Sequence, residues 1–141
     1  HPELFDLLGA ALDALAASRA PASLLFWFEL RLLTLMGIAP LLGACPLCAA
    51  PVLDRRQPAR FSPAAGGLLC ARCAAGPESG AGHHTLTPDV LAVLQDWQKA
   101  PSPQIALRTR PSRGQLAALR AALGDFLGYH LDLMPPSRDS P

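Results

Sequence analysis

A mostly α-helical fold is what this sequence predicts: a helical bundle with an inserted, small four-cysteine zinc-finger module that contains short β-strands. Three observations lead there. The only cysteines in the 141 residues fall in two pairs, Cys45-Pro-Leu-Cys48 and Cys70-Ala-Arg-Cys73. Leucine-rich stripes at steps of three and four residues lie on both sides of them, the spacing of a helix face. The 15 prolines and 11 glycines gather between the apolar blocks, where they read as breaks between elements.

The first helix is expected over residues 2 to 17. Pro2 suits a first helical turn, Glu3 and Asp6 complement its positive end, and Leu4, Leu8, Leu12 and Leu15 form one stripe. A second helix is expected over 23 to 36; Gly37 stops it and Pro40 confirms the break. It is apolar nearly all round, so it reads as a core helix. Phe26, Trp27 and Phe28 then belong to the core; the competing reading is a base-stacking platform. Glu29 is the odd member and is expected to pair with an Arg or to cap a backbone group, because an unpaired buried carboxylate is costly.

Residues 43 to 75 form the metal module. Twenty-one residues separate the pairs, a spacing typical of a structural zinc site. In each pair the two-residue gap turns the backbone so that both thiolates converge on one ion. Four thiolates complete a closed tetrahedron with no position left for substrate. Cys45, Cys48, Cys70 and Cys73 are therefore the expected ligands of a structural Zn²⁺. Between them, Arg60-Phe-Ser and Leu68-Leu read as short strands joined by a tight Gly66-Gly67 turn.

Residues 76 to 82 read as a flexible connector leading to His83 and His84. That pair reads as exposed loop histidines, with an extra metal site as the competing reading. Thr87-Pro88-Asp89 starts a third helix, with Thr87 as N-cap and Val90, Leu91, Leu94 and Trp97 on its apolar face; Pro101 and Pro103 end it. Ser112 and Gln115 form a capping box for the last helix. Its stripe runs Leu116, Leu119, Leu123, Phe126, Leu127, His130, Leu131 and Met134, with His130 as a satisfied core histidine. Pro135 and Pro136 close the helix, and 137 to 141 read as a frayed tail. The expected organisation is thus 1–42 and 76–141 for the two parts of a helical domain, with the zinc module at 43–75 between them.

Charge and motif content narrow the function. The formal net charge is +1, so overall charge does not announce a nucleic-acid partner. Eleven of the 12 basic residues are Arg, which favours two-pronged contact with phosphate; the competing reading is the arginine bias of a GC-rich genome. Two stretches hold arginines and no acid, from Arg55 to Arg72 and from Arg108 to Arg120. Arg55, Arg56, Arg60, Arg108, Arg110 and Arg113 are the candidate DNA-backbone contacts, Arg108 and Arg110 from a proline-bounded loop; the competing reading is a solvated surface. Nothing is suited to reading base edges, so any DNA contact is expected to ignore sequence.

No phosphate-cradling glycine loop, GxSxG elbow or paired-carboxylate motif is present, and the HxE and Pro-Cys of zinc deaminases are missing. The chain reads as a non-enzyme with no small-molecule substrate. Redox chemistry at the CxxC pairs is a further alternative; it predicts reactive thiols and no metal. No apolar run reaches the ~20 residues that cross a bilayer. With no export signal visible, metal-type cysteines point to a reducing, cytoplasmic compartment. The chain begins at His1, so a fragment of a longer protein is expected.

The segment Phe28-Glu-Leu-Arg-Leu-Leu-Thr-Leu-Met-Gly-Ile-Ala-Pro40, running on to Cys45-Pro-Leu-Cys48, resembles the bacterial RecO family. Phe61-Ser-Pro-Ala-Ala-Gly-Gly-Leu-Leu-Cys70-Ala-Arg-Cys73, the Thr85-Leu-Thr-Pro88 helix start and the closing Tyr129-His130-Leu131 are similar to it as well. The resemblance covers nearly the whole chain. The arginine- and alanine-rich composition is similar to that of Deinococcus members. Ala49 departs from the glycine that many relatives carry after the second cysteine.

The resemblance implies a recombination mediator. Such a protein binds single- and double-stranded DNA, anneals strands, and works with RecR to load RecA onto DNA coated by single-strand-binding protein. It implies a cytoplasmic, nucleoid-associated location, with RecR and single-strand-binding protein as partners. It also implies an N-terminal OB-fold followed by a helical domain with the zinc module. No OB-fold strand pattern precedes the first helix here, so the C-terminal part alone is expected. Some relatives lack the cysteines, which implies a structural zinc. The alternative function is a zinc-stabilised scaffold that docks those proteins without touching DNA.

Overall fold

The computed structural model describes residues 21–52, 56–77 and 82–132, together with Gly9 and Asp13; for residues 131 and 132 it describes the backbone alone. The predicted helix over 2–17, apart from those two positions, lies outside the described residues. So do Arg55, most of the connector, Met134 and the tail.

Helix α1, Ala22–Leu35, begins one residue earlier than its pattern predicts. It ends where expected, at Gly37, whose φ of 75° is open to glycine without strain. There Gly37 N–H donates to Thr34 O (3.1 Å) and Ile38 N–H to Leu33 O (3.0 Å), a Schellman closure. Phe26, Trp27, Leu30 and Leu33 are buried and Phe28 is half-buried against the same cluster, so these aromatic residues serve the core as expected and form no exposed stacking platform. Two polar groups of α1 meet on one acceptor: Trp27 Nε1 donates to Ala100 O at 3.0 Å, and the Arg31 guanidinium donates to the same oxygen. Arg31 also lies over the Trp27 ring, 5.7 Å from its centroid. Glu29 departs from expectation. It is half-buried in a groove beside Arg120 and Leu127, has no hydrogen-bond or ion-pair partner among the described residues, and burial raises its pKa.

Strands β1 (Ala59–Ser62) and β2 (Gly67–Leu69) pair antiparallel, with Phe61 opposite Leu68. The turn between them uses its two glycines differently. Gly66 has a φ of 101°, whereas Gly67 is needed for space: a Cβ there would lie 2.1 Å from the carbonyl oxygen of Leu41. That close approach lets Leu41 join the edge of β2, with Leu41 N–H donating to Gly66 O and Leu68 N–H to Leu41 O, both at 2.9 Å. Helix α2, Ala71–Ala74, follows at once.

A third strand corrects the two-strand reading. β3, His84–Leu86, pairs antiparallel with β1 and gives the order β2-β1-β3. His84 is therefore not an exposed loop histidine: it lies in a strand, half-buried, with Nε2 2.6 Å from Asp125 Oδ2. Three residues cannot display the alternation that marks a strand. This one forms because β1 offers it a ladder and Leu86, 1 % exposed, enters the core.

Helix α3, Pro88–Lys99, has its proline in the first turn as predicted. Thr87 stands at its N-cap but makes no side-chain cap bond; its side chain instead bonds the Asp89 carboxylate and, with Gln115, lowers the Asp89 pKa. The proline-bounded segment after it is a second correction. Gln104–Arg108 is a short helix, α4, so Arg108 is helical while Arg110 follows in irregular backbone. Ala106, fully buried on α4, explains why a stretch too short to announce itself is held in this form.

Helix α5, Arg113–Asp132, starts with the predicted capping box: Ser112 N–H donates to Gln115 Oε1 (2.8 Å) and Gln115 N–H to Ser112 Oγ (3.1 Å). Gln115 Nε2 also donates to Asp89 Oδ2 at 2.9 Å, joining the starts of α3 and α5. Leu119, Leu123 and Phe126 are buried. His130 is half-buried on the same stripe, against the Phe126 ring, with Nε2 3.2 Å from the Pro63 carbonyl oxygen.

One core unites helices and sheet. Phe61, Leu68 and Leu86 belong to the same buried cluster as Leu30, Leu94 and Phe126. The sheet is thus braced on the helices.

Candidate metal centre

The first cysteine pair sits in a loop closed at its base. Ala44 bridges Pro51, and Val52 N–H donates to Gly43 O at 3.1 Å. Within it, Ala49 N–H donates to Cys45 O and Cys45 N–H to Ala50 O, both at 2.8 Å. Helix α3 holds the segment leading in: Gln98 Nε2 donates to Pro40 O (2.8 Å) and Gln95 Nε2 to Leu42 O (3.0 Å). In the sequence, the one signal for these two glutamines is a polar residue set close to the apolar stripe of α3.

The second pair is built differently. β2 delivers Cys70 to the N-cap of α2, where its Sγ accepts from Cys73 N–H at 3.4 Å and its carbonyl accepts from Ala74 N–H at 2.8 Å. One helical turn then brings Cys73 back beside Cys70.

The two loops meet. The Sγ atoms of Cys45, Cys48, Cys70 and Cys73 all lie within 4.8 Å of one another, and those of Cys48 and Cys70 are 3.6 Å apart. All four are free cysteines. Four sulfurs at ~2.3 Å from one tetrahedral ion would stand about 3.8 Å apart, so the donor set fits a closed four-thiolate site. Cys45 is buried and the others are half-buried.

The thiols do not titrate alike. Burial pushes Cys45 up, but backbone hydrogen bonds at Cys70, Leu47 and Cys48 outweigh it and bring the pKa down to about 6. The Cys73 N–H lowers Cys70, whereas the side-chain hydrogen bond with Cys70 holds Cys73 up to about 12. Crowded thiols share protons that a cation must displace.

Ala49 completes the first loop at a φ of 66°, a left-handed backbone that a side chain tolerates poorly. The left-handed conformation costs a non-glycine residue about 1–2 kcal/mol, and glycine's greater freedom when unfolded takes back part of that. Ala49→Gly is expected to stabilise the protein by about 0.5–1 kcal/mol, read as a shift of the denaturation midpoint with unchanged slope.

The candidate DNA contacts come from several elements. Arg60 lies on β1, Arg56 in the turn before it, Arg108 at the end of α4, Arg110 beyond it and Arg113 at the start of α5; all five are exposed. Arg55 lies outside the described residues. Among the described residues no helix is long and apolar enough to cross a membrane.

A helical domain with an inserted four-cysteine knuckle pair, able to hold a metal ion with no position open to substrate, is the class these elements define. The chain matches the family described as Recombination protein O C terminal over residues 1–139, and it belongs to that RecO family. A DNA repair protein RecO of Anaeromyxobacter sp. (strain K) is 41 % identical over 131 residues, 93 % of this chain and 49 % of that protein. RecO of Desulforudis audaxviator is 38 % identical over 98 residues, 69 % of this chain and 37 % of that protein. The chain thus spans about half the length of the relative it matches across most of its own residues. No solved structure matches it.

Proposed function

We propose that this chain is the zinc-stabilised C-terminal part of a recombination mediator. In this reading it contacts the phosphate backbone of single- and double-stranded DNA without regard to sequence. It thereby supports strand annealing and, with RecR, RecA loading on DNA coated by single-strand-binding protein in the bacterial cytoplasm at the nucleoid. The observation that carries the reading is the match to the RecO family across residues 1–139. The contacts are Arg55, Arg56, Arg60, Arg108, Arg110 and Arg113. Zinc is the ion that four thiolates in a closed tetrahedron suit best; Cys45, Cys48, Cys70 and Cys73 would hold it, and it would stabilise the fold and do no chemistry. The role is not enzymatic.

A second reading has one observation in its favour. Leu35, at 58 % exposure, and Ile105 and Leu107 on α4 expose large apolar side chains, which suits a scaffold docking RecR or single-strand-binding protein. Anisotropy of labelled DNA across a salt series separates the readings. Arg108→Ala with Arg110→Ala is expected to weaken binding about tenfold, equally for unrelated sequences, with a salt slope smaller by about 2. Unchanged affinity removes this arm of the interface. No binding by the unaltered chain at low salt favours the scaffold.

A further inference from the structure

The geometry points to a phosphate-binding groove on the outward face of the sheet, lined by Arg60 and Thr85 beside the metal site, with His83 next to Arg60. It takes the backbone of a nucleic-acid strand, and it deepens the DNA-binding reading on which it rests.

The sheet has two unlike faces. Phe61 and Leu68 turn into the core, and His84, opposite Phe61 in the register, is tied to Asp125 on α5. On the other face one row crosses all three strands: Leu69 on β2, Arg60 on β1 and Thr85 on β3 are register partners. These three line one groove of about 330 Å³ together with Gln57 and Cys70. Arg60 and Thr85 are exposed. His83, two residues before Thr85, brings Nδ1 to 3.4 Å from Arg60 Nη1.

The chemistry of this row selects an anion. A guanidinium, a hydroxyl and a carboxamide line the groove among apolar residues, an imidazole lies beside the guanidinium, and no acidic residue stands among the described groove residues. Guanidinium and hydroxyl donors are the usual partners of phosphate oxygens. The described groove residues include no aromatic ring on which a base could stack, so the strand is held by its backbone. A divalent ion held by four thiolates would leave net negative charge at Cys70, which lines the same groove as Arg60; with that charge to offset, loss of Arg60 should weaken binding more than loss of an isolated surface arginine.

The test uses the metal-loaded chain and fluorescein-labelled oligothymidylate across a salt series. Arg60→Ala is expected to lower affinity about tenfold and to reduce the salt slope by about 1. His83→Gln and the strand-compatible Thr85→Val should each lower affinity about twofold to threefold. Arg60→Lys should keep most of the binding, and Arg120→Ala, in the groove between α1 and α5, should leave it unchanged. Metal content and melting, measured for each variant, separate lost contact from lost fold. DNA binding indifferent to Arg60, His83 and Thr85 overturns the groove and leaves the broader reading standing on Arg108 and Arg110. No DNA binding by the unaltered chain overturns both. Displacement of DNA by oligoglutamate at equal charge, with the same dependence on Arg60, overturns the nucleic-acid assignment in favour of an acidic peptide.

Discussion

Cys45→Ser is expected to lower the melting temperature by at least about 10 °C, and stripping the metal from the unaltered chain should do the same. Cys45 is 2 % exposed and is held by backbone hydrogen bonds at Cys70, Leu47 and Cys48. A serine hydroxyl there keeps none of the thiolate's affinity for a soft cation. Structural zinc contributes roughly 10–16 kcal/mol in small finger peptides. Here the loss should be smaller, because Phe61, Leu68 and Leu86 are packed into the helical core and hold the sheet without the ion. Cooperative melting of the helices should persist at the lower temperature. Binding at neutral pH must also expel the proton that Cys73, at about 12, keeps in the metal-free site. Affinity should therefore fall as pH falls, and metal titrations in buffers of different ionisation enthalpy read the proton release directly. Unchanged melting in both experiments would count against a structural metal; reactive thiols without bound metal would revive redox chemistry.

Gly67→Ala is the second large effect. Its Cβ would lie 2.1 Å from Leu41 O and 2.8 Å from Leu41 N, both backbone atoms that no rotamer change can move. Relief requires parting the Leu41 segment from β2, which breaks the hydrogen bonds of Leu41 with Gly66 and Leu68. Overpacking and two lost bonds together cost roughly 3–5 kcal/mol. The neighbouring Gly66→Ala should cost only about 1–2 kcal/mol, since a Cβ there meets nothing within 4 Å and the penalty is its φ of 101° alone. Chemical denaturation of the two variants gives the comparison; equal costs would mean that the approach of Leu41 does not govern this turn.

Much of the fold was legible in the residues. The stripe Leu119, Leu123, Phe126 announces a helix because one face must be buried, and the Ser112–Gln115 box marks its start by purely local chemistry. Gly37 marks a helix end for the same reason: the left-handed turn is a property of one residue and its neighbours. The meeting of the four sulfurs follows from two CxxC turns and a hairpin to join them. Where the sequence reading fell short, the deciding contact lay far along the chain. β3 is three residues long and takes its form from β1; α4 is five residues long and is held through Ala106; Glu29 lacks, among the described residues, the partner its burial suggests.

The sequence by itself determined the helical class, the four-cysteine centre, the end of α1 at Gly37 and the Ser112–Gln115 start of α5, because each rests on periodicity or on spacing along the chain; the family rests on likeness to whole strings of residues. Only the tertiary structure decided that the sheet has three strands, that His84 serves the fold through Asp125 while His83 turns to Arg60, and that Gly67 exists to admit Leu41. Those features depend on pairs of residues distant in sequence, and a pairwise contact leaves no periodic trace in either of the segments that make it.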